Sequence, residues 1–347
     1  EMDTDVYIRW PPAIKPMIDK ATGRQTCLEV RKAQYGARQS PRCWGLKLHS
    51  FLVNEGFERS DTDSCLYLLT TKRKQMLARN NEEVRKLKEA SPNSNLNIAA
   101  DDFDAVYTQI ALVVYVDDLT VRVDLKCAET KAIYDKFVKS MTSEFVVEDR
   151  GICDCMLGYK IDYDKVMGIL KLTQKSCLLG LLSRTGIDEC KPTYTPSKPG
   201  IKPHISWCPD QDTAEGKKEI AWLQERDYAN RVGACLWLAR GSKPEISWTV
   251  GMLSRFLTKQ SRKHFEMSTH LIRYLSTTRD RGIVYRRETG SLNLTAYVDG
   301  DWLTDYGNDS DNRKCTTGYI LKMCGAAVAW RSFKQQRVSG SSTESEY

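Results

Sequence analysis

Two adjacent carboxylates, Asp117 and Asp118, end the apolar run Ile110-Ala111-Leu112-Val113-Val114-Tyr115-Val116. A strand-like pattern resumes at once in Leu119-Thr120-Val121-Arg122-Val123. The β-branched run reads as a buried strand, and two unpaired carboxylates inside it would be prohibitively costly to bury. The pair therefore belongs at the tip of a tight hairpin, as a compact negative patch on a rigid support. Hard oxygen donors placed this way suit Mg²⁺, which is commonly held by one or two carboxylates together with substrate phosphates. An isolated Asp-Asp is more often a solvated acidic turn; the apolar strands on both sides weigh against that here.

Other chemistries find less support. The 12 cysteines are scattered, and neither they nor the four histidines show a CxxC pair or a zinc-like Cys/His spacing. Reduced structural thiols in an intracellular protein are the expectation. A net charge of +7 leans mildly toward polyanionic partners. No apolar stretch is long enough to cross a bilayer, and the acidic Glu1-Met2-Asp3-Thr4-Asp5 has no signal-peptide character. The 347 residues suggest two or three domains. The first residue is not Met and the chain stops at Tyr347, so it reads as an internal piece of a longer protein.

Several elements must position the acidic pair. Ser40 as N-cap and Pro41 at the first helical position open a helix through Leu46, Leu48, Phe51 and Leu52, broken at Gly56-Phe57. Residues 72–104 are polar and charged, longer than an ordinary loop, and read as a partly helical exposed insertion between two strands. An amphipathic helix is predicted over 128–143, paired strands over 155–161 and 168–172, and a helix over 174–184. Residues 192–217, rich in Pro, Lys, Ser and Asp, read as linker. Helices follow at 228–240, 246–258 and 263–277, and strands return after Leu292.

An ordered series of blocks resembles copia-type retrotransposon reverse transcriptases. Residues 32–44, from Lys32-Ala33-Gln34-Tyr35-Gly36 to Gln39-Ser40-Pro41-Arg42-Cys43-Trp44, resemble one family block, and Tyr115-Val116-Asp117-Asp118 matches the family's YVDD. Leu157-Gly158-Tyr159-Lys160-Ile161, Cys190-Lys191-Pro192 and residues 228–238 resemble three more, as do Pro244-Glu245-Ile246-Ser247 and Leu253-Ser254-Arg255-Phe256. Tyr297-Val298-Asp299-Gly300-Asp301-Trp302 and Ser341-Ser342-Thr343-Glu344-Ser345-Glu346-Tyr347 resemble blocks of the appended ribonuclease H. No single block decides the matter; their order and spacing over nearly the whole chain do.

The resemblance implies an α+β polymerase right-hand fold followed by a truncated ribonuclease H-like α/β domain. Partial fingers and palm with the YVDD hairpin would occupy 1–190, a linker 191–220, a helical thumb and connection 221–290, and the ribonuclease H-like part 291–347. It implies RNA-directed DNA polymerisation with Asp117 and Asp118 as catalytic metal ligands in a two-metal site for Mg²⁺, with Mn²⁺ as the alternative ion. Tyr115 belongs to the same motif. Gly36, Gln39, Ser40 and Pro41 would line the nucleotide and template, and Leu157, Gly158 and Tyr159 would grip the primer strand. Asp299 and Glu346 would be catalytic metal ligands of the ribonuclease H, with Asp301 and Glu344 solvated or supporting.

The partners implied are RNA template, DNA primer, RNA–DNA hybrid, dNTPs and other parts of the Pol polyprotein, in a cytoplasmic virus-like particle or the nucleus. The family's first polymerase carboxylate lies ahead of the block that opens this chain, and its third ribonuclease H aspartate lies beyond the last. Both sites are therefore expected to be incomplete here and the fragment inactive. Glu148 stands where the family usually has Lys. A degenerate, non-catalytic nucleic-acid-binding remnant is the alternative reading.

Overall fold

The structure, a computed structural model, describes residues 7–8, 17–22, 26, 28–29, 40–72, 106–187, 190–201, 203–287, 293–301, 315–339 and 341–346. The chain divides into two compact units, 1–151 and 152–347. It is a mixed α+β protein whose sheets are all antiparallel.

In the first unit β1 (Tyr7–Ile8) and β2 (Leu28–Glu29) form a short pair. Helix α1 (Ser40–Asn54) contains Ser40 and Pro41 as its first described residues, so Ser40 is already helical; a proline in the first turn loses no intrahelical hydrogen bond. A four-stranded sheet follows in the order β3-β4-β5-β6, from β3 (Glu58–Arg59), β4 (Leu66–Lys72), β5 (Val106–Tyr115) and β6 (Asp118–Val123). Helix α2 (Ala128–Glu144) completes the unit. Lys72 pairs with Val106, so the predicted insertion joins neighbouring strands of one sheet; residues 73–105 themselves lie outside the described residues.

Strand periodicity decides which way the apolar run faces. Ile110, Leu112 and Val114 oppose Val123, Val121 and Leu119, and this face packs on Leu48 and Leu52 of α1 and on Phe137 and Met141 of α2. Each fully buried side chain of this kind contributes roughly 2 kcal/mol of transfer free energy. The strand is thus buried on one face only: on the other, Val113 is 37% exposed and Tyr115 50%. Alternation puts the two sets on opposite sides of the pleat.

In the second unit β7 (Cys155–Met156), β8 (Tyr159–Asp164), β9 (Ile169–Thr173) and β10 (Ile283–Arg286) form a sheet in the order β10-β9-β8-β7. Helix α3 (Lys175–Thr185) ends on Gly186, whose φ of 64° supplies a left-handed cap. Residues 214–224 are helical as α4 (Ala214–Gln224), although composition predicts linker through Lys217. The Thr213 side chain caps it by accepting from the Gly216 N–H at 3.0 Å.

Helices α5 (Tyr228–Gly241), α6 (Ser247–Ser254) and α7 (Arg262–Thr277) pack with α3 around Leu178, Leu182, Val232, Leu238, Val250 and Leu271. Helix α6 is shorter than predicted at both ends. Strands β11 (Thr295–Asp301), β12 (Thr316–Met323) and β13 (Ala326–Lys334) form a third sheet, followed by α8 (Ser342–Glu346). The Trp330 indole N–H donates to the Ala239 carbonyl at 2.7 Å, fastening this sheet to α5. No helix among the described residues is long and apolar enough to cross a membrane.

Candidate functional site

Val116 and Asp117 are the two residues between the paired Tyr115 and Asp118, so the acidic pair sits on a two-residue hairpin tip. Val116 has φ 56° and Asp117 does not have positive φ, the sign pattern of a type II′ turn. That corner normally takes glycine, and a β-branched residue there is a genuine outlier. Two other non-glycine residues share positive φ among the described residues, Leu157 and Cys324. Each is followed by a glycine that also has positive φ, Gly158 and Gly325, in a two-residue turn between paired strands. Of these three turns the acidic one alone has no glycine. Strain of this kind costs on the order of 1–3 kcal/mol and persists only where the surroundings impose it.

The imposing group is Trp44. Its indole N–H donates to the Val116 carbonyl at 2.6 Å, tying the turn to the first part of α1. The Trp44 ring meets Phe145 edge-on at 5.3 Å, and Phe145 meets Phe51 edge-on at 5.2 Å. Phe51 and Phe57 both reach Phe137 of α2. An aromatic chain thus runs from the turn into the core, and edge-to-face pairs add about 0.5–1.5 kcal/mol beyond area burial. Lys47 lies 5.0 Å over the Phe145 ring and pairs with Glu144 at 2.7 Å.

Asp117 and Asp118 are exposed, and neither carboxylate has an ion-pair partner among the described residues. Asp118 opposes Tyr115 directly and shares its side of the sheet with Thr120 and Val113. Strand β6 is the edge of its sheet among the described strands. Two unneutralised carboxylates on a fixed turn fit a hard divalent cation, which would accept their oxygens and keep further positions for phosphate or water. Among the described residues no group of three or more His, Cys, Asp or Glu is assembled for a metal.

The remaining predicted residues are distributed as follows. Gly36 and Gln39 lie outside the described residues; Ser40 and Pro41 open α1, four residues ahead of Trp44 in Ser40's case. Leu157 and Gly158 are exposed at the tip joining β7 to β8. Tyr159 is half-buried, its ring 6.5 Å from that of Trp237, and burial pushes its phenol pKa up. Glu148 is exposed, 3.8 Å from Arg150, while Lys160 pairs with Asp162 at 3.1 Å. Asp299 is exposed in the middle of β11, paired with Gly318. Helix α8, which carries Glu344 and Glu346, packs beside β11, so the backbone brings these segments together; Asp301 ends the same strand.

No protein-family model matches the chain. The retrovirus-related Pol polyprotein from transposon RE1 of Arabidopsis thaliana is 29% identical over 343 residues, covering 99% of this chain and 19% of that protein. The corresponding polyprotein from transposon TNT 1-94 of Nicotiana tabacum is 26% identical over 347 residues, 100% of this chain and 22% of its own length. The transposon Ty5-1 protein of Saccharomyces cerevisiae is 28% identical over 351 residues, and 93% of it is covered.

The chain is a homologue of copia-type retrotransposon Pol polyproteins over its whole length. It spans about a fifth of the length of the first two relatives. In this Pol homologue the residues that sequence reasoning missed are Trp44 and Phe145. In the sequence Trp44 reads as the last residue of the 32–44 block and as an apolar residue of a helix, with no role attached to its side chain. Its hydrogen bond reaches 72 residues along the chain, and no local pattern announces such a contact.

Proposed function

We propose that this Pol homologue is a segment of an RNA-directed DNA polymerase, with the hairpin tip at Asp117 and Asp118 as its metal-binding centre and an appended ribonuclease H-like part. One observation carries the reading: an exposed acidic turn is held in a strained conformation by Trp44, beside an exposed sheet face. Asp117 and Asp118 would hold Mg²⁺, or Mn²⁺ in its place. When bound, such ions stabilise the attacking and leaving oxygens of an in-line phosphoryl displacement. The chain's own residues fix where those oxygens must come. Tyr115 and Val113 offer an exposed apolar floor beside Asp118, and by the resemblance Gly36, Gln39, Ser40 and Pro41 would line the nucleotide and template side.

A third carboxylate, which the family's motif order puts ahead of Asp5, would reach Asp118 by pairing at the open edge of β6. Leu157 and Gly158 would meet the primer strand at their hairpin tip, with Tyr159 turned toward Trp237 as its support. Asp299 and Glu346 would serve the ribonuclease H-like part in cleaving the RNA strand of a hybrid. Partners on this reading are RNA template, DNA primer, their hybrid, dNTPs and other parts of the polyprotein.

The test is primer extension on an RNA template with Mg²⁺, in this chain and in a longer segment that includes the upstream block. Extension by the longer segment that drops at least about 100-fold on changing Asp117 and Asp118 to Asn supports the reading; extension that survives the change refutes it. The second reading, a non-catalytic nucleic-acid-binding remnant, is favoured by Glu148 in place of the family's Lys. It would show as silent extension with hybrid binding retained, and as recovery of extension in Glu148→Lys if that departure is the cause.

A further inference from the structure

A second cleft is lined by residues of the 152–347 unit alone, none of them among the site residues assigned above. It is bounded by Ser197, Lys198, Gly200, Ile201 and Trp207, by Trp222 of α4 and by the outer face of α7, with a volume of about 720 Å³. Four cations line it, Lys198, Arg262, Lys263 and Arg273, against one acid, Glu266. Arg262 pairs with Glu266 at 3.5 Å. Lys198, Lys263 and Arg273 have no carboxylate partner among the described residues. Aromatic rings alternate with these charges. Lys263 lies 5.4 Å over Trp207, and Trp222 has Arg226 at 3.9 Å and Arg262 at 5.0 Å from its ring.

The walls are tied down by backbone contacts. Arg273 donates from Nε and a terminal nitrogen to the Lys191 carbonyl at 3.3 and 3.2 Å, and His270 Nε2 donates to the Thr195 carbonyl at 3.1 Å. The Thr193 N–H donates to Thr277 Oγ1 at 3.0 Å, and the Arg262 N–H to Glu219 Oε1 at 2.6 Å. Both sides are thereby strapped to α7. The cleft is preformed. Arg273 uses its donors on a neutral carbonyl, so its charge stays in the cleft. Burial pushes the His270 imidazole pKa down against the hydrogen bond to the Thr195 carbonyl, which raises it, and Lys198 and Arg273 add smaller downward pushes. A patch of positive potential converges there.

Resting on the polymerase reading for the class of partner, we propose that this cleft binds a single strand of nucleic acid, with phosphates on Lys198, Lys263 and Arg273 and a base against Trp207. Its volume is that of a cleft for a small organic ligand, so it admits nucleotide units of one strand and not a duplex. Alternation of cations with aromatic faces is what an unpaired strand needs, since every base has a π-face and every linkage a charge.

The experiment measures binding of a labelled single-stranded oligonucleotide of about ten residues to the full chain, with no nucleotides and no Mg²⁺. Lys198→Glu with Lys263→Glu should weaken binding at least about tenfold and flatten the salt dependence by roughly 1.4 in log–log slope, two phosphate contacts being removed. Lys139→Glu with Lys165→Glu makes the same charge change on exposed positions elsewhere and should cost no more than about twofold. The chain has four histidines, so the His270 proton resonance can be assigned with His270→Gln, and its pKa should rise when the strand binds.

Equal weakening by both double variants, or an unresponsive His270, overturns the proposal. Because the assay omits catalysis, the two readings fail separately. Extension without cleft binding removes only the cleft, and cleft binding without extension in any variant removes only the polymerase.

Discussion

At the first corner of a two-residue turn, valine gives up on the order of 1–3 kcal/mol that glycine would not. Val116→Gly should therefore leave the chain at least as stable in thermal unfolding, while the acidic pair loses its fixed placement and binds Mn²⁺ about tenfold more weakly. A destabilised variant with unchanged Mn²⁺ affinity would show that the strain has no part in placing Asp117 and Asp118. Trp44→Phe addresses the same turn from its anchor, keeping the ring against Phe145 and removing only the donor to the Val116 carbonyl. A lost hydrogen bond at an accessible carbonyl costs about 1 kcal/mol. We expect a loss of that size, with faster amide exchange at residues 115–118; exchange confined to its wild-type rate would argue against the anchor. Asp117 and Asp118 were legible in the sequence because charge interrupting an apolar run has one cheap location. Trp44 was not legible: an indole in an apolar stripe looks like core until its partner is known.

Helix α7 shows how an element's start can depend on one titrating group. Ser261 caps it: the Ser261 N–H donates to His264 Nδ1 at 3.1 Å, and the His264 N–H donates to Ser261 Oγ at 3.3 Å. Nδ1 therefore accepts, the proton of the neutral ring sits on Nε2, and Nε2 is buried without a hydrogen-bond partner. Phe256 stacks on the ring at 4.0 Å. Burial pushes the imidazole pKa down to about 4, against about 6.5 in an unfolded chain. Above pH 6.5 both states are neutral and the group has no effect on stability. Between about 6.5 and 4 the unfolded chain takes up a proton that the folded chain refuses, so stability falls as pH falls, by up to about 3 kcal/mol in total. His264→Gln, which keeps a capping-box acceptor, should flatten that window in urea titrations; an unchanged slope would place the acid sensitivity elsewhere. The helix itself was legible from the spacing of Leu271, Ile272 and Leu275. Its polar cap was not, since a histidine at the third helical position has no fixed meaning before its burial is known. Helix α4 was missed for a related reason: the Pro, Lys and Asp before Thr213 set a linker-like composition, and the Thr213 cap that starts the helix is a single side chain.

Across the whole molecule 52 cations face 45 anions, so a net charge of +7 is too diffuse to draw a polyanion to any one place. Binding strength must come from local arrangement, where cations stand apart from carboxylates. That distinction has a measurable form. Binding to an RNA–DNA hybrid through even three phosphate contacts implies a log–log salt slope near −2.7 and a loss of roughly 40-fold between about 50 and about 200 mM salt. A chain held only by its net charge would show a shallow slope indifferent to which lysines are removed. We expect the steep slope, unaltered by changing Asp117 and Asp118 to Asn in the absence of divalent ions, because those carboxylates neutralise no phosphate and so do not enter the slope. Adding Mg²⁺ should then tighten hybrid binding in the wild-type chain and not in the doubly substituted one. If Mg²⁺ tightens both equally, the ion acts on the nucleic acid alone and the hairpin tip is a solvated acidic turn. If it tightens neither and the slope is shallow, the chain has the antiparallel sheet and its aromatic supports without a metal-mediated interaction at the acidic turn.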